Sequence, residues 1–224
     1  MSIYSAFRSA VRQELRSRRY RALHRRLSEY TMTTADAYVD NMMLVECVKD
    51  VPGCVVECGV WRGGMTAGMA VVLGSHREYF LFDSFEGLPP AQEIDGEAAL
   101  KWQNDKDSPK YHDNCRAETE FARQAMVLSG APSFQLIKGW FNETLPSFKP
   151  PGPIALLRLD ADWYESTMVC IEALYDFVAV GGMILLDDYH TWDGCSRAIH
   201  DFLSRRCAVE RIRNQGEVGY LRKR

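Results

Sequence analysis

From Cys54 onward the chain alternates short apolar runs with stretches of helical periodicity, and this alternation limits the fold more than any other feature. The runs are rich in Val, Ile, Leu and Phe: Cys54–Val56, Tyr79–Phe82, Phe134–Ile137, Ile154–Leu159 and Met183–Leu186. Between and after them the spacing predicts helices near Met65–Leu73, Ala117–Leu128, Glu165–Val178 and Cys195–Arg205. Runs apolar on both faces and joined through helices argue for an α/β fold, a parallel sheet covered on both sides. The tail breaks the pattern. Val209–Arg213 and Val218–Arg222 flank Asn214-Gln215-Gly216-Glu217, which reads as an antiparallel hairpin closing one edge.

At 224 residues, 46% hydrophobic and 25% charged, the chain suits one globular domain with a sizeable core. Residues 1–30 read as a basic amphipathic helix, with Ile3, Phe7, Val11 and Leu15 four apart and Leu23 and Leu27 resuming the stripe. This segment holds eight Arg against Glu14 and Glu29, so the net charge of −3 leaves −9 for the remainder. The helix is expected to pack on its own domain or on a second subunit, giving a homo-oligomer. Anionic lipid is the weaker reading, because no Trp or Lys-rich anchor accompanies it. Thr33 or Thr34 is positioned to cap the next helix, through Tyr38, Met42, Val45 and Val48. Residues 31–224 are then one domain, and within it 88–120 is a charged connection without clear periodicity. Its length and its place after the second strand predict a lid over the substrate.

The charge balance gives no reason to expect a nucleic-acid partner. Seven Cys show no zinc spacing and read as free thiols in a reducing compartment. With no apolar run of membrane-spanning length and no secretory signal, a cytoplasmic location is expected.

Four strand exits, forming two sites, carry the chemistry. Val55-Val56-Glu57-Cys58-Gly59-Val60-Trp61-Arg62-Gly63-Gly64 runs a strand into an acid and a glycine-rich turn. Ligands of open α/β sheets sit beyond such carboxyl ends. The spacing is E-x-G-x-x-x-G, not the dinucleotide GxGxxG. An acid before the first glycine would repel a pyrophosphate and favour an amino group or sulfonium. The next strand ends in Phe82-Asp83-Ser84, where Asp83 can take ribose hydroxyls. Further on, Leu159-Asp160-Ala161-Asp162 and Leu186-Asp187-Asp188-Tyr189-His190 end two more strands. Carboxylates brought together there need a cation or shifted pKa values. All-oxygen ligation suits Mg²⁺, Mn²⁺ or Ca²⁺ over zinc, with His190 more suited to substrate contact than to ligation.

Five blocks in order resemble the macrocin O-methyltransferase family, whose members methylate sugar hydroxyls of macrolide and aminocoumarin natural products: Val55–Gly64, Phe82–Pro89, Lys138–Pro146, Leu157–Thr167 and Gly181–Tyr189. The resemblance implies a class I methyltransferase fold, a Rossmann-like seven-stranded sheet with an antiparallel last strand, with S-adenosylmethionine as methyl donor and Mg²⁺ as metal. It implies that Glu57, Gly59 and Gly63 line the methionine end of the cofactor. Asp83 and Ser84 would then meet the ribose, Gly139 and Trp140 flank the adenine, and Asp160, Asp187 and Asp188 hold the metal. Asp162, two residues past Asp160, is the expected general base, with His112 or His190 as substitutes. Tyr164, Trp163 and Trp192 offer flat surfaces for a sugar or aglycone. The expected activity is metal-dependent transfer of a methyl group to a sugar or glycoside hydroxyl. The rivals are a catechol-type or other vicinal-diol O-methyltransferase, a cofactor-binding partner of a glycosyltransferase without activity of its own, and a dehydrogenase on the same fold.

Overall fold

The computed structural model describes residues 3–74 and 76–224. Met1, Ser2 and Ser75 lie outside the described residues, as do the side chains of residues 3–7 and 9, so Ile3 and Phe7 of the expected stripe do too. Seven strands form one sheet: β1 Cys54–Cys58, β2 Tyr79–Asp83, β3 Phe134–Lys138, β4 Ile154–Leu159, β5 Val178–Leu186, β6 Arg213–Gln215 and β7 Val218–Arg222. Their order is β3-β2-β1-β4-β5-β7-β6, with β7 antiparallel to both neighbours and the pairs from β3 to β5 parallel. The helices are α1 Ile3–Leu27, α2 Ala35–Glu46, α3 Gly64–Leu73, α4 Glu97–Asn104, α5 Thr119–Ser129, α6 Phe141–Thr144, α7 Tyr164–Leu174 and α8 Asp193–Arg205.

Alternate residues of a strand face opposite sides, and the core divides accordingly. Val55, Leu81, Leu156 and Leu185 meet α1, α2, α3 and α5 through Leu27, Met42, Met69 and Met126. Val56, Phe82, Leu157 and Ile184 meet α7 and α8 through Ile171, Leu174, Ile199 and Phe202. Thr34 caps α2, its Oγ1 accepting from Ala37 N at 3.2 Å.

Five expectations need correction. The first arm of the tail hairpin is only Arg213–Gln215, and β5 starts five residues early at Val178. Strand β3, an edge strand, is half-exposed instead of buried on both faces. In α1 the stripe is split. Tyr20, Leu23 and Leu27 are buried, whereas Val11 and Leu15 are exposed. Residues 88–120 are also not structureless. They contain α4, a 3₁₀ turn at Glu93–Asp95 and a left-handed turn at His112–Cys115, where all four φ angles are positive. Among the described residues, no helix is long and apolar enough to cross a membrane.

Candidate active site

Parallel pairing brings the strand exits to one edge. Gly59 N donates to Phe82 O (2.9 Å), Asp160 N to Cys58 O (2.8 Å) and Asp187 N to Leu159 O (3.0 Å). The turn after β1 therefore lies between the exits of β2 and β4. Gly59 has φ +87°, and a Cβ there would fall 1.7 Å from the carbonyl oxygen of Asp160, so a side chain is excluded by backbone on both counts. Gly63 caps α3 with φ +81° and lies so close to Ala122 of α5 that a Cβ would sit 2.8 Å from its Cα.

Asp83 is held by backbone. Its Oδ2 accepts from Val60 N and Trp61 N, each at 2.7 Å, and its Oδ1 from Phe85 N at 2.6 Å. Burial pushes its carboxyl up, and the three N–H groups pull it back. Ser84 Oγ donates to Gly87 O at 2.9 Å and accepts from Glu86 N at 3.1 Å, which tightens the turn that follows.

At the exits of β4 and β5 the acids converge. One oxygen each from Asp160, Asp187 and Asp188 lies within 4.8 Å of the others. Beneath them, in the middle of apolar β4, is Arg158. Its Nη1 donates to Glu57 Oε1 (2.6 Å) and Asp160 Oδ2 (2.8 Å), and its Nη2 pairs with Asp187 Oδ1 at 2.5 Å. The Nη2 contact is short but poorly aligned, so it is an ion pair without a proper hydrogen bond. Glu57 is itself only 1% exposed and accepts from Thr66 Oγ1 as well. Asp162 completes the cluster. Its N donates to Asp188 Oδ2 (3.2 Å), and its Oδ1 accepts from Trp192 Nε1 (3.0 Å). Its φ of +56° is unusual for a residue with a Cβ, and around it Trp163 N reaches back to Ala161 O at 2.6 Å. A non-glycine residue held there costs about 1–3 kcal/mol, and such strain concentrates at functional sites.

Five carboxylates thus cluster around one guanidinium, which pairs with three of them. Burial raises the Asp160 carboxyl to about 6 even though Arg158 works the other way. Burial, followed by the charge of Asp160, raises Asp162 to about 8. The same two causes, burial and then neighbouring acids led by Asp162, push Asp188 well up. Glu57 is raised by burial to about 7, with Arg158 opposing. Burial works against the Arg158 charge, but Asp160, Asp187 and Glu57 outweigh it and keep it protonated. Hard oxygen donors at this spacing, short of positive charge, are the donor set a divalent cation of the Mg²⁺ type requires.

Two cavities meet at this cluster. The first, about 550 Å³, has Gly59, Asp83, Ser84 and Trp140 on its wall. The second, about 490 Å³, is bordered by Glu57, Asp187, Asp188, His190 and Trp192. Asp160, Asp162, Trp61, Cys115 and Met32 border both. Of the residues expected at the methionine end, Gly59 is on the first cavity, Glu57 borders the second, and Gly63 borders neither. Gly139 is likewise off the first cavity, with φ +144° beside Thr144. His112 and His190 are exposed and border the second cavity, with His190 Nε2 3.0 Å from Asn214 Oδ1. Trp163 is only 2% exposed and has no free face for a sugar. It packs edge-on against Trp102 and Trp192, with centroids 6.1 and 5.4 Å away.

The sequence reading gave no role to Arg158, Trp102 or Asp95. The signal for Arg158 was a charge inside a strand otherwise apolar, which has to be paired. Trp102 lies in the 88–120 connection, and nothing local tied it to the exits. Asp95 is buried, and its Oδ1 accepts from Tyr164 N (2.7 Å), so the connection itself caps α7. Pro89 O accepts from Trp163 Nε1 at 2.9 Å, which pins the start of the segment to the same loop.

The family model for macrocin-O-methyltransferase matches residues 5–222. A tetracenomycin-C rhamnosyl 4′-O-methyltransferase of Streptomyces olivaceus is 36% identical over 163 residues, 69% of this chain and 59% of that protein. Demethyldecarbamoylnovobiocin O-methyltransferase of Streptomyces niveus is 36% identical over 172 residues, 70% of this chain and 62% of the relative. The chain thus spans about three-fifths of the length of these curated relatives. Among solved structures, the O-methyltransferase NovP superposes with a TM-score of 0.73 at 28% identity, covering 87% of this chain and 83% of that one. The calicheamicin methyltransferase CalS11 gives 0.64 at 20% identity over 90% and 91%, a likeness of fold alone. The fold is that of class I methyltransferases.

Proposed function

The chain belongs to the macrocin O-methyltransferase family, and from that we propose that it moves a methyl group from S-adenosylmethionine to a sugar hydroxyl of a small glycosylated molecule, with Mg²⁺ held by Asp160, Asp187 and Asp188. The observation carrying this reading is the meeting of the two cavities at Asp160 and Asp162. A donor in the first and an acceptor in the second would face each other there.

S-adenosylmethionine, when bound, would supply an activated sulfonium methyl group. When bound, the cation supplies positive charge that makes a ligated hydroxyl more acidic. The protein's own residues do the rest. Asp83, fixed by three backbone N–H groups, presents its remaining acceptor site, on Oδ1, to a ribose hydroxyl, with Ser84 beside it. Trp140 and the Gly139 turn form the adenine end. Gly59 keeps the cavity floor free of a side chain, and Gly63 lets α5 pack close behind it. Asp162 is the general base. Trp192 occupies its Oδ1, which leaves Oδ2 to take the hydroxyl proton. Holding oxygen, methyl and sulfur in line reduces the barrier further, by up to about 7–11 kcal/mol in the best-aligned cases.

Residues 88–120 act as a lid tied down at Pro89, Asp95 and Asn114. The exposed Val11 and Leu15 of α1 would seat a second copy of the chain, and the enzyme is placed in the cytoplasm. The deciding experiment incubates purified protein with methyl-deuterated S-adenosylmethionine, Mg²⁺ and panels of glycosides and of catechols, read by mass spectrometry. A labelled methyl on a glycoside alone supports the reading. Transfer to catechols alone would reassign the acceptor, and cofactor binding without transfer to either panel would favour a non-catalytic role.

A further inference from the structure

Arg158 is costly to keep where it is. Its guanidinium is 1% exposed, in a strand whose six residues are all buried. Buried ion pairs are commonly replaced by apolar residues without loss of stability, so stability does not explain its presence. Its bonding pattern does. Arg158 is in register with Glu57 of β1, so both side chains leave the same face of the sheet, and Asp160, two residues on, follows on that face. All three guanidinium nitrogens are used: Nε toward Asn41 of α2 (3.4 Å), Nη1 toward Glu57 and Asp160, and Nη2 toward Asp187. One rigid planar group thereby ties β1, β4, the exit of β5 and α2 together. Two of its four partners are proposed cation ligands. The other two, Glu57 and Asn41, are buried and bind it from behind.

We propose that Arg158 is a positioning residue for the cation site: anchored by Glu57 and Asn41, it holds Asp160 and Asp187 facing one another before a cation arrives. This rests on the reading that these acids bind a cation. It gives Glu57 a role on the cation side of the site instead of contact with the cofactor, in keeping with its place behind the second cavity. Without the guanidinium the carboxylates would repel one another and turn outward, and each binding event would have to reassemble them. Lysine would not serve, because a single ammonium cannot span three carboxylates in fixed directions.

The test compares Mn²⁺ binding, followed by electron paramagnetic resonance, in the wild type, Arg158→Lys and Glu57→Gln, with S-adenosylmethionine affinity measured calorimetrically on the same samples. Arg158→Lys keeps the charge and removes only the geometry. It should weaken Mn²⁺ binding about 10–100-fold, the usual effect of losing a group that orients metal ligands. Cofactor affinity should stay within about twofold, and saturating cation should restore turnover. Equal Mn²⁺ affinity in wild type and Arg158→Lys overturns the proposal. Should Arg158→Lys fail to fold, Glu57→Gln decides: about tenfold weaker Mn²⁺ binding supports the proposal, and unchanged binding overturns it. A wild type that takes up no Mn²⁺ rejects the cation reading itself, and this inference with it.

Discussion

Asp83 at the end of β2 and the acids at the ends of β4 and β5 are both strand-exit carboxylates, yet the protein treats them differently. Asp83 receives three backbone N–H bonds from the turns around it. Asp160, Asp162, Asp187 and Asp188 share one guanidinium, one indole N–H and one backbone N–H among them. Local backbone completes the first site, whereas the second is left short of positive charge. A carboxylate the fold satisfies shapes a cavity wall. Carboxylates the fold leaves unsatisfied are poised for something that comes from outside.

Mutations at the two exits should therefore separate cleanly. Asp160→Asn should have the largest effect, with turnover falling below detection while S-adenosylmethionine still binds; full activity would remove the distinction between the two exits. Asp162→Ala should slow methyl transfer by about 10²–10⁴-fold in single-turnover measurements, the usual worth of a general base, with Mn²⁺ affinity little changed. Asp83→Asn should reverse the pattern. The amide keeps one acceptor oxygen but turns its nitrogen toward at least one of the three N–H donors, a loss of about 1–3 kcal/mol, so cofactor affinity should fall about tenfold by calorimetry while cation affinity holds. A wild-type cofactor affinity in that variant would mean that the backbone grip on Asp83 has no bearing on the donor.

The smallest expected effect concerns pH. Asp160 and Asp162 titrate at about 6 and about 8 in the folded chain, against about 3.9 unfolded. A raised folded pKa means that the folded state holds more protons than the unfolded one between those values. Its stabilising contribution is complete below about pH 4 and is lost as pH rises through 6 to 8. Cation-free protein should melt several degrees lower at pH 8 than at pH 5.5, and Mg²⁺ should raise the melting temperature more at pH 8. An equal Mg²⁺ effect at both pH values would show that the acids and the cation do not share a site.

How much of this was legible in the chain follows from the range of each signal. Strands β1, β2 and β4, the cap at Thr34 and the acidic exits were readable because their causes lie within a few residues. The convergence of Asp160 with Asp187 also followed, since consecutive parallel strands end on one edge. The bracing by Arg158 was not readable, because its partners Glu57 and Asn41 lie 101 and 117 residues away. The 88–120 connection looked structureless for the same reason. Its anchor, Asp95, caps a helix 69 residues further on, and Trp102 finds its aromatic partners only in the folded chain. The exposed Val11 and Leu15 teach the converse, that a stripe can be read correctly as amphipathic without showing what it packs against.

Anomalous diffraction from crystals grown with Mn²⁺ would test the divided treatment of carboxylates most directly. One peak is expected per chain, about 2.0–2.3 Å from an oxygen of each of Asp160, Asp187 and Asp188, and none at Asp83. A peak elsewhere, or none at Mn²⁺ concentrations that support turnover, would contradict it.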